Sequence, residues 1–141
     1  MRSRRDRGPT TSSSTGSTDR CLRTQRAISD NRAVNAIIVL CTCPDVACAD
    51  RLATALVDER LAACVNRIGG VASTYRWQGS VQRSDEVLLM IKSTRERFDV
   101  VRERIVALHP YDNPEIVALA IEAGSAAYLD WIESSVDARG I

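Results

Sequence analysis

The chain has one histidine, His109, and it opens the run His109-Pro110-Tyr111-Asp112-Asn113-Pro114-Glu115, in which two prolines restrict the backbone. Imidazole titrates near neutral pH and is the commonest ligand of transition metals, so chemistry is sought here first. The other reactive groups are thiols. Five cysteines fall at positions 21, 41, 43, 48 and 64 without a C-x-x-C pair, the pattern of reduced thiols in a cytosol-like compartment rather than of a disulfide scaffold. Cys41 and Cys43 are two residues apart, which on a strand puts both on one face. Cys41 with His109 is the preferred pair and Cys43 a secondary one, since sulfur with imidazole nitrogen suits Cu(I), Cu(II) or zinc. Two other readings compete. Cysteine is often a small buried hydrophobe, and His109 could donate to carbonyls at the end of its own helix. Alternatively, Cys41 and His109 form a nucleophile and base, which also requires an orienting group and an oxyanion site that the sequence does not supply.

These side chains must be positioned by the elements around them. Residues 34–41 (VNAIIVLC) form a nearly continuous apolar run of branched residues, expected as a strand covered on both faces. Thr42 is expected to cap a following helix that runs to about Arg60, with Pro44 and Asp45 in its first turn and Ala49, Leu52, Ala53 and Leu56 as its buried stripe. Residues 62–68 read as strand, Gly69-Gly70 as a bulge, and residues 71–82 as its continuation, with Val71, Ser73, Tyr75 and Trp77 on one face. Arg83-Ser84-Asp85 is expected to turn the chain into a third strand at residues 86–92. Ser93 and Glu96 have capping-box spacing before a helix carrying Phe98, Val101, Ile105 and Leu108, which Pro110 ends at His109. Residues 116–121 make a fourth strand, and Gly124-Ser125 opens a last helix with Tyr128 and Trp131 toward the core.

The order βαββαβ plus a terminal helix, with right-handed crossovers, is α+β and favours the ferredoxin-like split with strand order 4-1-3-2. The fourth strand then lies antiparallel beside the first. Its entry, residues 109–115, therefore falls near the exit of the first strand, and topology alone brings His109 toward Cys41 and Cys43.

Charge divides the chain. Residues 1–33 hold eight Arg and three Asp, a net of +5, leaving residues 34–141 at −4 against a total of +1. The first segment mixes Arg with Ser, Thr and Gly, carries almost no large apolar residue, and is expected to be a disordered extension of a 34–141 domain. An inert extension or misassigned start is favoured over an organelle transit peptide, because Asp6, Asp19 and Asp30 interrupt the acid-poor character that import needs. A nucleic-acid-binding arm is the weakest reading. No apolar run approaches the roughly 18 residues of a membrane span. The expectation is a cytoplasmic protein with neither membrane nor nucleic-acid partner.

Several motifs together carry a resemblance: Cys41-Thr42-Cys43-Pro44-Asp45, Arg60-Leu61-Ala62-Ala63-Cys64-Val65-Asn66, Ser73-Thr74-Tyr75-Arg76-Trp77-Gln78-Gly79, His109-Pro110-Tyr111 through Pro114-Glu115, and Tyr128-Leu129-Asp130-Trp131. From about Ala36 to Ser135 the chain resembles the CutA divalent-cation tolerance family. The resemblance implies a ferredoxin-like subunit, a homotrimer, and a non-enzymatic role linked to copper and other divalent cations. Leu108 stands where some relatives carry a second histidine, Asn113 where an apolar residue is common, and Ala120 where proline is frequent.

The long hairpin of the second and third strands, bearing Tyr75, Arg76 and Trp77, offers unpaired backbone to a neighbouring chain, which favours trimer assembly by strand pairing. Trp77, Lys92, Tyr111 and Glu115, with Glu86, could line a polar cleft between subunits. That cleft supports the alternative reading, a trimeric module that senses a small ligand or anchors a partner.

Overall fold

The computed structural model describes residues 34–137, and in it the branched run forms β1 at Ala36–Cys43. β1 runs two residues beyond the expected end, because Thr42 and Cys43 still pair with Leu88 and Val87. Thr42 is therefore a strand residue and not the helix cap. Asp45 takes that role: its carboxylate accepts from the Cys48 N–H at 2.8 Å and starts α1, Val46–Asp58. α1 turns its Ala49, Leu52 and Leu56 stripe inward. At its end Arg60 adopts a left-handed φ of 58°, while the Leu61 and Arg60 N–H groups donate to the Leu56 and Val57 carbonyls. This is a Schellman closure, and it buries Leu61 as the chain enters β2, Cys64–Trp77.

β2 and β3, Ser80–Thr94, form one hairpin, interrupted between Ile68 and Val71 by the expected Gly69-Gly70 bulge. The hairpin turn is at Gln78-Gly79 rather than at Arg83-Ser84-Asp85. Both turn residues have positive φ, 48° and 80°, which matches a two-residue turn to the right-handed twist of the strands. Arg83, Ser84 and Asp85 instead pair with Thr74, Ser73 and Ala72 in mid-strand. The expected capping box is absent for a similar reason: Ser93 lies inside β3, and its hydroxyl donates to the Leu61 carbonyl at 2.6 Å. A short 3-10 turn at Arg95–Arg97 leads into α2, Phe98–Leu108.

β4, Val117–Ala120, pairs antiparallel with β1, giving the sheet order β2-β3-β1-β4. That is the expected ferredoxin-like order read from the other edge. α3, Ala126–Ser135, packs on β1 and β3 and buries Ile132. Tyr128 and Trp131 do not face the core of this chain; they are 44% and 46% exposed. The two-residue period places Val39, Cys41, Leu89 and Ile91 in the core. Ile38, Leu40, Leu88, Met90, Val117 and Leu119 share the opposite face, where cross-strand pairing aligns them. The expected extension, residues 1–33, lies outside the described residues. No helix among the described residues is long and apolar enough to cross a membrane.

Candidate metal centre

Two elements converge on the thiols. β1 turns Cys41 and Cys43 into the core, each with no exposed surface, and leaves Thr42 between them half-buried. α2 delivers the imidazole: the His109 N–H closes the helix on the Ile105 carbonyl, and Pro110 then pushes His109 to an extended ψ of 140°. The ligand atoms of Cys41, Cys43 and His109 lie within 4.8 Å of one another. The meeting expected from topology occurs, and it includes Cys43 as fully as Cys41.

Both ring nitrogens of His109 are engaged. Nδ1 accepts from the Tyr111 N–H at 3.1 Å, which requires the proton to sit on Nε2, 2.8 Å from the Thr42 carbonyl. Nε2–H therefore donates to β1 and not to the carbonyls of its own helix. The same carbonyl accepts from the Cys41 thiol at 3.8 Å. His109 thus ties the end of α2 to the strand that carries both cysteines.

The surroundings hold Cys43 and Cys48 as neutral thiols. Cys43 is pushed far above its ordinary value of 9.0, chiefly by hydrogen bonding to Cys41, then by burial and by the neighbouring Cys41 charge. Cys48 is raised mainly by burial and by Cys43, against a lowering contribution from Arg51. A bound metal would have to displace those protons. At the start of α1 the Cys48 N–H is already taken by the Asp45 carboxylate. Nothing here advances the nucleophile reading.

The proposed cleft residues are spread over the chain. Tyr111 donates to the buried Glu86 carboxylate at 3.4 Å, and burial followed by the Glu86 charge raises its phenol. Trp77 is opposite Ser80 at the hairpin tip, whereas Lys92 is opposite Cys64 twelve residues along β3, roughly 40 Å of strand away. Glu115 is exposed. One chain does not unite these groups, so a shared cleft needs a second copy. A cavity of about 600 Å³ lies elsewhere, lined by Asn35, Glu96, Arg97, Asp130, Glu133 and neighbours.

Sequence reasoning missed the Thr42 carbonyl, which no side-chain motif announces, and set Cys48 aside. The Asp45 cap was the available signal for Cys48, because it fixes Cys48 in the first turn of α1, next to the end of β1.

Comparison with known proteins agrees with this architecture. The family model described as CutA1 divalent ion tolerance protein matches residues 37–135. The chain is 51% identical over 98 residues to the divalent-cation tolerance protein CutA of Thermus thermophilus, covering 70% of this chain and 95% of that protein. It is 41% identical over 110 residues to the chloroplastic protein CutA 1 of Oryza sativa subsp. japonica, covering 78% of this chain and 62% of that protein. Among solved structures, CutA1 from Oryza sativa superposes with a TM-score of 0.73 at 40% identity, covering 75% of this chain and 97% of that one. CutA from Xylella fastidiosa gives 0.72 at 40% identity, covering 73% and 99%. Motifs, strand order and matched length lead to one conclusion: the chain belongs to the CutA1 divalent ion tolerance protein family.

Proposed function

We propose that the chain serves divalent-cation tolerance as a non-enzymatic homotrimer that holds copper, or another divalent cation, at Cys41 and His109 with Cys43 as third ligand. The observation that carries this reading is the burial of those three side chains with their ligand atoms within 4.8 Å. Two thiols and an imidazole are a soft, copper-preferring donor set. Ligation through Nδ1 would replace the bond from Tyr111 and leave Nε2–H on Thr42, the usual carbonyl support for a ligating histidine. Ligation through Nε2 would shift the tautomer and cost both bonds. Isothermal titration of copper into the protein and its Cys41→Ala and His109→Ala variants tests the site. The expected result is at least tenfold weaker binding in each, and unchanged affinity in both would remove it.

The trimer reading draws on surface composition. All three Tyr and both Trp of the chain are at least 38% exposed, and the sheet face opposite α1 leaves Val117 and Leu119 46% and 49% exposed. A lone subunit would leave these large apolar side chains in water, and exposed apolar surface of this kind marks an interface. Four free thiols among the described residues suit a reducing compartment, and we take the cytoplasm as the simplest. The small-ligand alternative depends on Trp77, Lys92, Tyr111 and Glu115 meeting across subunits, so it stands or falls with the trimer.

A further inference from the structure

Glu86 is a buried carboxylate, 8% exposed, and its side chain takes a single hydrogen bond among the described residues, from the Tyr111 hydroxyl to Oε2 at 3.4 Å. No described Lys or Arg forms an ion pair with it. Burying a carboxylate is costly unless a cation or several donors satisfy it, and one long bond from a phenol leaves Oε1 open. The sheet supplies a cation on the same face. Two-residue alternation along β3 sets Glu86, Leu88, Met90 and Lys92 in one row, and Lys92 lies across from Ile38, which in turn lies across from Leu119. Lys92 is half-buried and has no ion pair among the described residues either. The other basic residues of the strands, Arg67, Arg76 and Arg83, fall on the opposite face, in step with Val81 and Leu89.

Glu86 and Lys92 cannot meet within one chain, because six residues of strand hold them roughly 20 Å apart. The apolar face between them therefore ends in an acid on one side and a base on the other, which makes it complementary to a second copy of itself. From this arrangement we propose that Lys92 of the partner subunit pairs with Glu86 where two copies meet across this face. The proposal rests on the trimer reading and names the contact that completes the Glu86–Tyr111 end of the cleft. The lysine stem covers apolar surface while its ammonium reaches Oε1, and Tyr111 keeps its bond to Oε2. Each subunit of a closed ring gives one Lys92 and receives one at Glu86. Copies set in the wrong orientation would oppose acid to acid or base to base, so the pair also selects the orientation of assembly.

Native mass measurement over a dilution series of the full chain gives the midpoint of assembly. The expected result is that Glu86→Lys and Lys92→Glu each raise that midpoint tenfold or more, and that the chain carrying both returns to within about threefold of the unsubstituted one. Mixing the two single variants should also recover assembly, because each then meets the opposite charge on its neighbour. A role confined to one subunit would not be rescued by a second chain. If reversal at the buried position 86 unfolds the subunit, seen as lost circular dichroism, Glu86→Gln and Lys92→Gln take its place; the two together should weaken assembly no more than the worse of them alone. A trimer in which the substitutions act independently, with no rescue in either series, overturns the Glu86–Lys92 contact and leaves the trimer reading standing. A monomeric unsubstituted chain overturns both.

Discussion

The Nε2 atom of His109 lies 2.8 Å from the backbone carbonyl of Thr42, 67 positions away in sequence, and that carbonyl sits between the two cysteines that face the core. One hydrogen bond thus joins the end of α2 to the end of β1, with Cys41 and Cys43 held on either side of its acceptor. The His109→Ala variant removes this tie and the Tyr111 bond together. It should lose about 1–3 kcal/mol of unfolding free energy, because polar groups in a largely buried setting lose their partner. Urea denaturation of the metal-free protein measures the loss, and an unchanged midpoint would show that the tie carries no stability.

Stability should fall at alkaline pH. Cys43 and Cys48 both have native pKa values raised above the ordinary 9.0. Below about 9 the folded and unfolded chains hold these protons alike, so the contribution is complete there. Above it the unfolded chain releases protons that the native chain keeps, and unfolding becomes easier by up to about 1.4 kcal/mol per pH unit for each thiol. Urea midpoints between pH 8 and 10.5 should slope downward, and the slope should flatten in Cys43→Ala.

Asp45→Ala should cost about 1 kcal/mol, since it leaves the Cys48 N–H at the start of α1 without its carboxylate partner. Thr42→Ala should not reproduce a capping loss, because Thr42 pairs with Leu88 inside the sheet. Guanidinium unfolding of the two variants side by side separates these outcomes.

Gly79→Ala should destabilise the hairpin by about 1–2 kcal/mol, because an L side chain is forced into the left-handed region at φ 80°. Gln78→Asn, at φ 48°, should stabilise it slightly, as Asn tolerates that region better than Gln. Thermal unfolding of both variants gives the two signs.

Much of this was legible in the sequence because strand and helix periods decide which residues a sheet can bury. The run of branched residues at 36–41, the Gly69-Gly70 bulge and the Pro110 stop each had a local cause, and together they specified the strand order. That order alone brings His109 toward Cys41. What failed was the choice between competing local signals. Arg83-Ser84-Asp85 looks like a turn, but the positive φ at Gln78 and Gly79 suits a tight hairpin, and the turn settled there. Ser93 and Glu96 have capping spacing, yet the Leu61 carbonyl claimed the serine and Asn35 the glutamate. Tyr128 and Trp131 fit an inward stripe on one chain, whereas the structure leaves them outside. The tie through Thr42 could not be read at all, because a backbone carbonyl has no sequence signature.

Light scattering on the purified chain should give a trimer mass. Leu119→Lys should weaken assembly, since it sets a charge on the half-exposed apolar face of β4. A monomer of unaltered stability in the unsubstituted chain would contradict the trimer and the intersubunit cleft together.

The most direct measurement is X-ray absorption at the copper edge of the protein loaded with one equivalent of Cu(I). The proposed centre predicts a first shell of sulfur with one nitrogen, the nitrogen lost in His109→Ala and sulfur reduced in Cys41→Ala. A shell of oxygen and nitrogen alone, the same in all three proteins, would contradict metal binding at Cys41, Cys43 and His109.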